Sequence, residues 1–243
     1  VTESVTDLPS GEPEPYYDAR SSYYGIIDLA GFPKDRFYLY QSRWRSNLKM
    51  AHILPHWNWP DRVGELTPIH VFTSGDEAEL FLNGKSLGRK KKGQYEYRLR
   101  WNDVLYEPGE VHVVTYRNGT EWATDTVRTT GAAAGLQLTA DRVEIAADGE
   151  DLSFITLEIV DEKGDVVRDA NTAVTFSVSG PGQIVATDNG NPADLTPFPS
   201  LERKAFSGLA LAIVKGKIRE PGSITVTAVA AGVQAGSVVV KAR

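Results

Sequence analysis

With 243 residues, 41% hydrophobic and 24% charged, the chain has the composition of an ordinary folded protein and the length of about two domains. A formal net charge of −6 supplies no overall basic field to hold nucleic acid or anionic lipid, so neither partner is expected. The absence of cysteine excludes disulfides and thiolate metal sites without fixing the compartment, and no run approaches the ~18 apolar residues of a membrane span.

The first 18 residues carry "PSGEPEP", whose Pro and Gly disfavour regular structure and predict an exposed loop. They contain neither the basic start nor the apolar stretch of a leader. Next comes "YYGIIDLAGFPKDRFYLYQSRW", residues 23–44, which reads as a strand end, a loop and a helix. Pro33 suits a first helical turn, and Phe37, Tyr40 and Trp44 at i, i+3 and i+7 give the helix one aromatic face. An isolated helix of about a dozen residues is marginal in water, so this face must bury against something.

"HWNWPD" places Trp57 and Trp59 two apart. In an extended segment they point the same way, so they form either a platform for a sugar ring or a plug between the first helix and the first sandwich. The usual burial of large aromatics favours the plug.

From about residue 66 the period becomes two. Asn83-Gly84 and Asn118-Gly119 each sit between strand-like runs and predict type I′ hairpin turns. "QYEYRLRW" alternates over 94–101, which predicts Tyr95, Tyr97, Leu99 and Trp101 on one core face. The preceding basic run Arg89-Lys90-Lys91-Lys92 reads as a solvated hairpin end rather than a nucleic-acid face. Residues 66–128 thus read as a small antiparallel sandwich.

"TTGAAAGL" at 129–136 predicts a linker, and the strands beyond it are spaced as in an immunoglobulin-like sandwich. The oxygen-rich "TDNGNPADLTPFP", residues 187–199, lacks the ordered spacing of an EF-hand and reads as a structured loop.

Catalytic inventories are thin. There is no Gly-x-Ser-x-Gly elbow, and His52, His56, His70 and His112 do not pair at metal-motif spacing. Glu12, Glu14, Asp18 and Asp28 are the acids near the βα step, and their surroundings offer no apolar pocket to hold one protonated. The expectation is no catalytic residue, no metal ligand and no cofactor in this chain.

Three stretches, "ARSSYYGIIDLAGFPKDRFYLYQSRW", "LPHWNWPDRVGELTPIHVFTSGDEAELFLNGKSLG" and "ATDNGNPADLTPFPSLERKAFSGLALAIV", together resemble the C-terminal part of glycoside hydrolase family 2 enzymes of the β-galactosidase type. The resemblance implies a mainly β protein: two β-sandwich (immunoglobulin-like) domains preceded by a short βα remnant of a TIM barrel. It implies residues 1–50 as that remnant, with its last helix over 33–46, then sandwiches over 51–131 and 132–243. The family's acid/base glutamate follows an asparagine, and no Asn-Glu dipeptide occurs here. Both catalytic glutamates are therefore expected upstream, on a barrel outside this chain that would be its main partner.

By the same resemblance "GEPEPY" matches the loop after the eighth barrel strand, so Tyr16, Tyr17 and Arg20 are candidates for the rim of the sugar cleft. Carbohydrate contact and oligomer formation remain open, and a periplasmic or extracellular bacterial location is favoured by the resemblance alone. The alternatives are a carbohydrate-binding module using Trp57 and Trp59, and a cell-surface immunoglobulin-like spacer.

Overall fold

The computed structural model describes residues 19–243; Tyr16 and Tyr17, with Glu12, Glu14 and Asp18, lie outside the described residues. The chain divides into two units, Pro33–Thr129 and 19–32 with Thr130–Arg243. In both, nearly all of the regular structure is strand.

The first unit begins with helix α1 (Asp35–Trp44). Strands β1 (Ala51–Leu54), β2 (Ile69–Thr73) and β5 (Leu99–Trp101) form one antiparallel sheet in the order β1-β2-β5. Strands β3 (Glu77–Leu82), β4 (Lys85–Lys91), β6 (Glu110–Arg117) and β7 (Thr120–Arg128) form the other, in the order β4-β3-β6-β7. Alternate residues point inward, so Ile69, Val71, Leu80, Val111 and Val113 meet Trp57, Trp101 and Tyr106 in a single core. Both Asn-Gly pairs make the expected turns: Asn83 and Gly84 have φ of 51° and 79°, and Asn118 and Gly119 have 51° and 78°.

The second unit is a sandwich. Strands β8 (Gly135–Ala140), β10 (Leu152–Val160), β12 (Gly182–Asp188) and β14 (Leu209–Gly216) order as β12-β14-β10-β8. Strands β9 (Glu144–Ile145), β11 (Ala173–Ser179), β13 (Glu202–Lys204), β15 (Gly222–Ala230) and β16 (Gly236–Ala242) order as β13-β11-β15-β16-β9. Only the short β9–β16 contact is parallel among these pairings. Ile155, Leu157, Phe176, Val214, Ile224 and Val240 fill the space between the sheets.

Three expectations change. The segment expected as one piece over 1–50 is divided, residues 19–32 going with the second unit and Pro33 onward with the first. The expected linker is hydrogen-bonded into the second unit: Gly131 N–H donates to Asp161 Oδ2 at 2.9 Å and Ala134 N–H to Val160 O at 2.8 Å. Tyr95 and Tyr97 are not core residues. Only Leu99–Trp101 pairs as a strand, so the alternation stops before it reaches them and leaves Tyr95 88% exposed.

Candidate functional site

Helix α1 lies on the β1–β2 face through one side only. The Tyr38 ring stacks on His52 at 3.9 Å between centroids, Asp35 Oδ1 lies 2.8 Å from His52 Nε2, and Ser42 is buried. Asp35, Tyr38 and Ser42 recur at i, i+3 and i+7, the spacing of one helix face. At about 100° per residue, Tyr40 is about 200° around the helix from Tyr38. It joins Trp44 on the opposite face, the two rings stacking at 4.8 Å. Trp44 is 74% exposed, and Phe37, expected on the same stripe, is half-buried and packs edge-on against Tyr38. The aromatic stripe anticipated from the sequence therefore exists, with Tyr40 and Trp44 left uncovered by their own unit.

Trp57 and Trp59 do not share a face. They follow the cis Leu54–Pro55 bond outside any strand, so the period-two rule does not apply to them. Trp57 is fully buried, its Nε1–H donates to Glu107 O at 2.9 Å, and its ring packs against Tyr106 at 4.8 Å. Trp59 is half-buried, stacked on His56 at 4.1 Å with the Arg62 guanidinium over it. A joint sugar platform is thus ruled out in this conformation. Trp57 plugs the core of the first sandwich itself rather than a seam beside the helix.

In the second unit Arg20 is fastened to the 189–199 loop. Its backbone N–H donates to Pro192 O at 2.8 Å, and its Nη2 donates to Leu195 O and Thr196 O at 2.5 and 2.9 Å. The guanidinium also covers the Phe198 ring at 4.5 Å. Gly190 lets the loop approach this segment: a Cβ there would fall 2.0 Å from Asp28 Oδ2, and its φ of +76° already favours glycine.

The loop's oxygens do gather around a cation, and the cation is Arg203. Its side chain is buried, and it donates to Thr187 O at 2.7 Å, Pro197 O and Thr196 O at 3.0 Å, and Asp194 Oδ2 at 3.1 Å. Asn189 Nδ2 adds bonds to Asp194 Oδ2 and Lys204 O, both 2.8 Å. Burial pushes the Asp194 carboxyl up, but the hydrogen bonds from Thr196 and the Arg203 guanidinium outweigh it and hold the group below its ordinary value. Sequence reading missed Arg203; it sits between Glu202 and Lys204 in "LERKAF", and nothing in that charged run singles it out.

Arg20 and Arg203 brace the 189–199 loop. Asp148, Asp151, Asp161 and Asp194 are carboxylates that depart from their ordinary value, and all depart downward, opposite to a general acid. Among the described residues no group of three or more His, Asp or Glu side chains is placed to hold a metal ion. The groove beside β8, lined by Leu136, Gln137, Leu138 and Gln234, is open and includes Asp161, whose carboxylate is already taken by backbone amides.

Comparison with known proteins follows the same division. Residues 136–239 match the family model "Glycoside hydrolase family 2 C-terminal domain 5", and residues 64–123 match a domain of unknown function, DUF4982. Beta-galactosidase BoGH2A of Bacteroides ovatus is 44% identical over 92% of this chain and 26% of its own length. A beta-glucuronidase of Formosa agariphila is 29% identical over 97% of this chain and 23% of its own. Among solved structures, a beta-glycosidase from Bacteroides vulgatus superposes with a TM-score of 0.87 at 31% identity, over 93% of this chain and 29% of that one. The chain spans about a quarter of the length of the curated relatives named here.

Proposed function

The chain belongs to glycoside hydrolase family 2 as a C-terminal region of it, and from that premise we propose that it is the non-catalytic, accessory part of a retaining β-galactosidase-type hydrolase. Retention requires two carboxylates about 5 Å apart, one of them held protonated. In this reading both belong to a catalytic barrel outside the chain, and the two sandwiches brace that barrel.

The observation that carries the proposal is the uncovered Tyr40–Trp44 pair. A 10-residue helix that buries one face on its own sandwich and stacks two large aromatics on the other is built to be covered on both sides. Arg20 acts here as a positioning residue for the 189–199 loop, since its guanidinium is committed to Leu195, Thr196 and Phe198.

The test assays the isolated chain and the barrel-bearing parent side by side on nitrophenyl β-galactoside and β-glucuronide. Turnover by the parent alone is expected. Turnover by the isolated chain would overturn the reading, and the preferred glycoside of the parent names its substrate class.

A further inference from the structure

Residues 85–100 hold seven Lys and Arg against one Glu, within a chain of net charge −6. Local structure sorts them. Arg89 and Lys91 both pair with Glu77, at 2.6 and 3.4 Å, and Lys92 turns inward to donate to Thr73 O at 2.8 Å. Glu96 folds back onto Gly93 N–H. Lys85 stands apart at the hairpin end of β4, which leaves Lys90, Arg98 and Arg100, and none of these three pairs with a carboxylate among the described residues.

These three are drawn together by the meeting of β4 and β5. Lys90 Nζ donates to Arg100 O at 2.7 Å and lies over the Trp101 ring at 5.2 Å. Arg100 sits opposite His70 in the β2–β5 register, and Arg98 Nη1 donates to His70 Nδ1 at 3.3 Å. An arginine has no acceptor, so Nδ1 of His70 carries no proton. Burial lowers the His70 pKa, and Arg98 and Arg100 lower it further, so the imidazole adds no charge of its own but feels that of both arginines. Tyr97, 45% exposed, has the Arg98 guanidinium 5.2 Å from its centroid, and Tyr95, two residues earlier in the chain, is 88% exposed.

Charged side chains are expected on β4 and β5 because both are edge strands, where charge blocks pairing with another chain. That accounts for Lys85 and Lys91. It does not account for two exposed tyrosines in the same short segment as Arg98 and Arg100, an arrangement that suits an anion with flat apolar faces.

We propose that Lys90, Arg98, Arg100, Tyr95 and Tyr97 form a binding site for an acidic polysaccharide, a chain of pyranose rings bearing carboxylate or sulfate groups. The guanidinium forks take the anionic groups in paired hydrogen bonds, and the tyrosine rings take the apolar faces of the sugars. Arg98 and Arg100 stand with His70 on the outer face of the β1–β2–β5 sheet, the face on which α1 packs against His52.

Affinity electrophoresis of the 243-residue chain tests this in gels carrying polygalacturonate, which has carboxylates only, or chondroitin sulfate, which has both groups. Neutral galactan, polyphosphate and single-stranded DNA serve as controls. At least one acidic glycan is expected to retard the chain, and which of the two does so identifies the anionic group. The K90A/R98A/R100A variant should bind it about tenfold more weakly or worse. The Y95A/Y97A variant should lose several-fold on the glycan while any retardation by polyphosphate stays the same. Melting temperatures within a few degrees of the parent chain confirm that the variants fold, and R98Q/R100Q provides a milder second pair. Equal retardation by galactan, unchanged binding in the cation variants, or binding that is tightest to polyphosphate or DNA and indifferent to the tyrosines would each overturn the proposal.

Discussion

The indole of Trp44 stacks on the ring of Tyr40 at 4.8 Å and 24°, yet 74% of Trp44 is exposed. Within this chain the indole therefore contributes little to the folded state. Trp44→Ala should change the unfolding free energy of the isolated chain by no more than about 0.5–1 kcal/mol. In the barrel-bearing parent the same substitution should lower the melting temperature by several degrees, read by calorimetry on both proteins. Equal, small effects in the two would remove α1 as the docking face.

Trp57 presents the opposite case, since it is fully buried among Tyr106, Val71 and Trp101 and bonded to Glu107 O. Trp57→Ala should destabilise the chain by about 3–5 kcal/mol, the range for deleting a large core aromatic. Trp59→Ala, at a half-buried site, should cost clearly less. Urea titrations of the two variants give the order, and a smaller loss at position 57 would contradict the burial described above.

Arg203 provides a third comparison. Removing it takes the guanidinium donor from Thr187 O and Pro197 O and the countercharge from the Asp194 carboxylate, so Arg203→Ala should cost about 3–5 kcal/mol. Lysine has one compact ammonium in place of a planar fork, so Arg203→Lys should recover little of the loss. Protease sensitivity should rise within 187–199 first. Full recovery by lysine would mean that charge alone, and not the fork, organises the loop.

Lys92 gives a pH dependence. Burial, reinforced by Arg43 and opposed by Asp76, lowers its ammonium from 10.5 to about 8. Between these values the unfolded chain binds more protons than the folded one, so this group makes stability rise with pH. Its favourable contribution is complete above the unfolded value of 10.5 and is lost as pH falls through about 8. Urea unfolding of the native chain and of Lys92→Met at intervals across that range should show the native chain gaining on the variant as pH rises. Parallel curves would show that the ammonium is solvated.

Much of the architecture was legible in advance because its signals are local. Asn83-Gly84 and Asn118-Gly119 demand positive φ wherever they occur, and period-two runs such as 110–117 place alternate residues inward once they pair. The resemblance of three long stretches then pointed to the family, and the matched domains lie where two of those stretches do.

The sequence by itself determined that there would be two sandwiches, where their tight turns would fall, and that one helix would carry an aromatic stripe. Only the tertiary structure decided which aromatics were buried: Trp57 leaves the extended path after Pro55 and enters the core, while Tyr95 and Tyr97 stop short of β5 and remain outside. It also decided that the oxygens of 187–199 would close on Arg203. The physical reason is range. Backbone preference and alternation act over a few neighbouring residues, whereas burial and the partner of a charge depend on which distant strands meet, and no short window of sequence holds that information.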